Sequence, residues 1–259
     1  VVLAVVGLGG VLASLDFNDL KGLLAERVEA ATGRRLIMAG DVDLELSLSP
    51  SLTLREVSFA NAAWGSRPEM AKLEHFSAEV ALLPLIGGNL EVKRLVLDGL
   101  DLILESDAKG RGNWLFETDG QAAEGAGEGG ALPKFDNVLV KNITVVWRDG
   151  ASKESREIKL ARLEAKAAGA GKIDISFAAS LAGQALSGAG QIGAPERLMD
   201  AGTPYPLDLE LAAAGAKIKL VGTIAKPLEG AGLDLKLQVA GADLKALGAL
   251  LGAELPLGG

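Results

Sequence analysis

Residues 90–105 read LEVKRLVLDGLDLILE, and this stretch decides the fold. Leu95 and Leu97 alternate with their neighbours, Asp98 and Gly99 shift the phase, and Leu100, Leu102 and Leu104 resume the alternation. Side chains of a strand point to opposite faces in turn, so a period of two predicts a strand with one apolar face. A glycine bulge explains the change of phase. Unbroken, the stretch would run roughly 53 Å at ~3.3 Å per residue, far beyond the usual five or six residues. A long, bent strand is expected.

The same period extends outward. From Asp41 onward, Val42, Leu44, Leu46 and Leu48 face one way while Asp43, Glu45, Ser47 and Ser49 face the other; Phe76, Ala78, Val80 and Leu82 repeat this against His75, Ser77 and Glu79. RLVLDGLDLILE (94–105) aligns with NVLVKNITVVWR (137–148) at a spacing of 43, and GQIGAP aligns with GTIAKP at a spacing of 32, Gly190 matching Gly222. The strands leading into these turns match as well: DISFAASLAG resembles DLELAAAG (208–215), which carries Leu209 and Leu211. LDLKLQVAG (233–241), with Leu233, Leu235, Leu237 and Val239, starts a third copy. Such periods indicate stacked β units.

Composition agrees. Of the 259 residues 49% are apolar but only 4% aromatic, and 34 glycines suit turns better than helices. A net charge of −8, with Lys and Arg scattered among the acids, argues against nucleic acid as a partner. The absence of cysteine removes disulfides, thiolate nucleophiles and thiolate metal sites.

Four segments are read along the chain. Residues 1–15, VVLAVVGLGGVLASL, form an uncharged apolar run, read as a truncated transmembrane anchor because ~15 helical residues fall short of the ~20 that a span needs. A signal-peptide core and a dinucleotide-binding turn are the alternatives; Leu12 stands where the latter needs its third glycine. Residues 16–116 combine an amphipathic helix over 19–32, capped by Asn18 and stopped by Gly33, with the first β units. Residues 117–131 are glycine-rich and acidic and are read as a flexible loop, and 132–259 as repeated β units with a helical stretch over 242–255.

Catalytic and metal chemistry find no support. His75 is the only histidine, and on one strand it points parallel to Ser77 and Glu79 at roughly 7 Å spacing, too far for a nucleophile and its base. One histidine without cysteine leaves only carboxylates for a metal, and these are interspersed with lysines. No cofactor, metal or catalytic residue is expected. What remains is the set of apolar strand faces. With little helix to cover them, they either curl upon themselves or bind apolar ligands.

ATGRRLIMAGDVDLELSLSPSLTLREVSFANAAWG (31–65), LLPLIGGNLEVKRLVLDGLDLILESDAKGRGNW (82–114) and GTIAKPLEGAGLDLKLQVAGADLKALGALLGAELP (222–256) resemble AsmA-like proteins, a family of bridge-like lipid-transfer proteins. The resemblance implies a mainly β fold: a long antiparallel sheet curled into an apolar groove behind an amino-terminal membrane helix. It also implies a single-pass bacterial inner-membrane protein with a periplasmic body. The function expected is non-enzymatic phospholipid transport in outer-membrane biogenesis. Acyl chains would lie along Val42, Leu44, Leu46, Leu48, Leu95, Leu97, Leu100, Leu102, Leu104, Leu209, Leu211, Leu233, Leu235, Leu237 and Val239. The alternative is a periplasmic scaffold whose strand edges recruit outer-membrane or other envelope proteins.

Overall fold

The computed structural model describes residues 17–86, 89–116, 134–181, 183–199, 202–229 and 231–241. The apolar run 1–15, the acidic segment 117–131 and the stretch 242–255 lie outside the described residues. No helix among the described residues is long and apolar enough to cross a membrane.

The fold is mainly β. Among the described residues twelve strands form one open sheet, ordered β1-β3-β4-β5-β6-β7-β8-β9-β10-β11-β12 with β2 beside β3. They are β1 (Leu36–Met38), β2 (Val42–Glu45), β3 (Ser51–Ala60), β4 (Glu69–Val80), β5 (Glu91–Glu105), β6 (Lys134–Arg148), β7 (Ser155–Gly169), β8 (Lys172–Leu181), β9 (Gln184–Gly193), β10 (Tyr205–Ala213), β11 (Ala216–Lys226) and β12 (Ala231–Ala240). Helix α1 (Phe17–Thr32) precedes them, and α2 (Leu82–Ile86) is a short turn of helix between β4 and β5. The chain packs as two units, one comprising residues up to 130 with 145–155, the other 131–144 with 156 onward.

In the first unit α1 packs beside β1 and β2, where Lys21 Nζ donates to Gly40 O at 2.7 Å. Asn18 is already helical within the described span of the helix, Phe17–Thr32, so it is not the cap. Gly33 ends it as expected, left-handed at φ 67° with its N–H on Glu29 O at 2.7 Å. β2 stops at Glu45, and Leu46 and Leu48 leave the sheet. The Ser47 hydroxyl accepts from Ser49 N–H at 3.0 Å, a local turn that competes with the ladder just before Pro50.

β5 is one strand of fifteen residues, and Gly99 is left-handed at φ 70°. The expected phase change is there, but it inserts no extra residue: Leu73 pairs with Leu100 and His75 with Asp98 in unchanged register. Glu56 of β3, level with Glu74 and Gly99, is left-handed too, at φ 50°. β3 and β5, the strands on either side of β4, break at the same level, and the register with β4 is kept on both sides. The 43-residue repeat aligns Gly99 with Asn142, and Asn142 is likewise left-handed at φ 52°. At the end of the repeat, Ser106 N–H donates to Arg148 O at 3.0 Å. The carboxyl ends of β5 and β6 therefore lie side by side, an arrangement that a long connection permits and a tight hairpin does not.

The second unit contains the antiparallel run from β7 to β12. Its glycines sit under large neighbours: a Cβ on Gly188 would come within 2.5 Å of the Phe177 ring and 2.6 Å of Leu211. Gly190 and Gly222, matched by the 32-residue repeat, adopt φ 152° and 151°, and a Cβ on either would stand 2.0 Å from a neighbouring carbonyl oxygen, Asp208 or Asp234. Gly222→Ala is expected to lower stability by about 2–4 kcal/mol, combining backbone strain with loss of close β11–β12 pairing. Chemical unfolding measures it, and an alanine tolerated within about 0.5 kcal/mol would contradict the close approach.

Candidate functional site

The candidate site is the leucine-bearing side of the sheet, and cross-strand register fixes which residues share it. In the first unit Val42, Leu54, Phe76 and Leu97 form one row, and Leu44, Leu52, Ala78 and Leu95 the next. Beyond the break lie Val57, Leu73 and Leu100, then Phe59, Ala71 and Leu102. Along β5 the buried positions are Val92 and Val96 before Gly99 but Ile103 and Glu105 after it. Burial thus changes parity at Gly99, and Leu95, Leu97, Leu100, Leu102 and Leu104 all fall on the opposite, half-exposed side. Val42 is buried and Leu44 half-buried. Leu46 and Leu48 stand apart from these rows in the β2–β3 turn, both exposed.

In the second unit the candidates fall into four adjacent rows. Leu233 joins Ile224 and Tyr205; Leu235 joins Gly222, Leu207 and Ile192; Leu237 joins Leu220, Leu209 and Gly190; Val239 joins Ile218, Leu211 and Gly188. Leu209, Leu211 and Leu235 are half-buried, whereas Leu233, Leu237 and Val239 on β12 are exposed. A concavity of about 660 Å³ borders Gly188, Leu211, Ile218 and Val239, with Glu210, Lys217 and Lys219 also in its lining. Ile218, Leu220 and Ile224 were missed as candidates, although the alternation in AKIKLVGTIAK (216–226) was sufficient to find them.

The opposite side carries the charged pairs, and on β5 it also buries Val92, Val96 and Ile103. Arg55 meets Asp43 at 2.6 Å, and Lys219 meets Glu210 at 3.4 Å, both between exposed side chains. Such pairs contribute at most about 1 kcal/mol, so they do little to hold the sheet. The Ser77 hydroxyl accepts from Thr53 Oγ1 at 3.3 Å, and His75 lies in register between Arg55 and Asp98.

One end of the first unit is locked by a buried polar network that sequence reading did not foresee. Asn113 is fully buried; its Nδ2 donates to Asn61 Oδ1 at 2.9 Å and to Ile103 O at 3.0 Å, and its Oδ1 accepts from Glu105 N–H at 3.0 Å. Glu105 Oε1 accepts from Asn61 Nδ2 and Ser66 N–H, both at 2.8 Å, and Arg148 approaches its other oxygen at 3.9 Å. Arg34 donates to Asn113 O and lies 4.9 Å from the centre of the Phe116 ring, while Trp114 packs on Trp147 with centroids 5.0 Å apart. Beside the network a cavity of about 870 Å³ is lined in part by Arg34, Arg35, Trp64, Arg111 and Phe116.

Burial pushes the Glu105 carboxyl up, but hydrogen bonds from Ser66 and Asn61, together with nearby Arg148, outweigh it and hold the group below the usual carboxylate range. A depressed pKa in the folded state stabilises the protein above the unfolded value, about 4.3, and that contribution disappears as pH falls through the folded value. Glu105→Gln is therefore expected to be less stable than the parent at pH 7, with the gap closing toward pH 3. Thermal unfolding of both proteins across that range reads it, and a gap that widens in acid would refute the assignment.

The network explains how scattered motifs cooperate. Arg34 of TGR, Asn61 of FANAAWG, Glu105 at the end of LDGLDLILE, and Asn113 and Trp114 of the NW pair meet at one end of the sheet. Residues 1–127 match the model of the AsmA family. Protein AsmA of Escherichia coli (strain K12) is 28% identical over 98 residues, covering 38% of this chain and 16% of that relative. The stretch that builds α1, β1 to β5 and the buried network is thus AsmA-like, and over residues 1–127 the chain carries an AsmA-family region.

Proposed function

We propose that this chain is a non-enzymatic envelope factor that carries phospholipid along the apolar side of its sheet. Acyl chains lie on the leucine rows and head groups follow the polar margin. The observation that supports this most directly is the half-exposed state of Leu95, Leu97, Leu100, Leu102 and Leu104, while β5 buries Val92, Val96 and Ile103 on its other side. Transfer of apolar surface from water supplies roughly 25 cal/mol per Å² and requires no bond making. Residues 1–15 enter a bacterial inner membrane as a single-pass anchor, and the sheet stands in the periplasm.

Organic extraction and mass spectrometry of the purified chain are expected to yield phospholipid at about one molecule or more per chain. A lipid-free preparation that also fails to take up fluorescent phospholipid from vesicles would contradict the proposal. A second reading, recruitment of an envelope protein by strand addition, draws on β12, whose Leu233, Leu237 and Val239 are exposed. Peptide binding that survives complete delipidation is the result that favours it.

A further inference from the structure

Two turns of the first unit meet at the end of the sheet away from the buried network. Leu82 N–H donates to Leu48 O at 3.3 Å and Val80 N–H to Pro50 O at 3.0 Å, which joins the β2–β3 turn to the segment around α2. Six aliphatic side chains project there: Leu48 is 81% exposed, Leu83 77% and Ile86 62%, with Leu46, Leu85 and Leu90 also exposed. Neither 46–54 nor 80–90 contains a charged residue. Scattered exposed leucines are ordinary on a protein surface, but a contiguous uncharged patch of this kind marks a partner surface.

The course of α1 says which partner. Thr32 hands the chain to β1, which starts beside Phe59 near the network, while Lys21, further back along the helix, reaches Gly40 beyond the end of β1. The helix therefore runs back along β1 and β2, and its amino terminus points toward the aliphatic turns. Residues 1–15, uncharged and apolar, join it at that end. We infer that the paired turns around Leu48 and Leu83–Ile86 dip into the same lipid bilayer that residues 1–15 enter. The sheet thus stands on the membrane by its aliphatic tip, with the arginine-bearing end directed away. This rests on the proposed membrane entry of residues 1–15.

The native Trp64, Trp114 and Trp147 lie at or near the network end and serve as an internal reference. The full chain carrying Leu83→Trp is incorporated into vesicles of phosphatidylethanolamine and phosphatidylglycerol whose acyl chains are brominated. The expected result is quenching of the additional emission, with the parent's three tryptophans little affected. Adding Leu48→Asp and Ile86→Asp is expected to abolish most of that quenching while the chain still floats with the vesicles. An unquenched introduced indole in a floating protein overturns the tip inference and leaves the anchor intact. Failure to float removes the anchor reading and the tip with it. Concentration-dependent dimers that the two aspartates dissolve, with no quenching in the parent background, assign the patch to a second copy instead and overturn the inference.

Discussion

Asn113→Ala is expected to lower the stability of the first unit by about 3–5 kcal/mol, the largest loss predicted for any single side chain here. Truncation removes the partners of the buried Glu105 N–H and Ile103 carbonyl together and opens a void where no water has access. Each orphaned buried group costs about 1–3 kcal/mol, more than the net worth of the bond itself. Denaturant unfolding followed by the near-ultraviolet signal of the Trp114–Trp147 pair reads the change where it occurs. Asn113→Asp offers a second arm. A carboxylate beside the buried Glu105 is repelled, so this variant is expected to be less stable at neutral pH and to recover partly in acid. A loss under about 1 kcal/mol in both variants would mean that the network is dispensable.

Leu102→Asp is expected to abolish lipid loading while leaving the chain folded. Leu102 stands opposite Ala71 in the row that includes Phe59, and it is half-exposed, so a carboxylate there can reach water. The stability cost is expected to be about 1–2 kcal/mol, against several for a charge confined within a packed interior. For an acyl chain the same carboxylate is a polar step across its path. Leu102→Met, which preserves volume and polarity, should retain both properties. Phospholipid uptake and thermal unfolding of the same three proteins separate the outcomes. Global unfolding of the aspartate variant signals a filled core, and normal uptake takes this strand out of the path.

Strand alternation was legible because it is a local property with a period that survives without any neighbour. The phase change at Gly99, the helix stop at Gly33 and the two internal repeats were all visible in the chain, and the left-handed Asn142 follows from its alignment with Gly99. β1 was not legible: three residues are too few to display a period, and only pairing with Val57–Phe59 makes them a strand. Leu46 and Leu48 continue the alternation perfectly yet leave the sheet, because the Ser47 hydroxyl and Pro50 decide their backbone. Sequence also hid the network. Asn61, Glu105 and Asn113 look like solvated polar residues until the fold brings them together, and nothing local distinguishes a buried asparagine from a wet one.

Gly190 on β9 and Gly222 on β11 meet the same obstacle, a neighbouring backbone oxygen, at sites 32 residues apart. One copy of that repeat therefore advances the stack by two strands, roughly 9.6 Å at ~4.8 Å per strand. Tandem duplication in the gene then acts as a ruler. Each added copy lengthens the polypeptide's reach by a constant increment and reproduces the glycine contact that the next copy docks against. An insertion of one residue within a strand, by contrast, would turn the following leucines of that strand to the opposite face. Selection for reach can proceed by counting copies, with the strand interior left untouched.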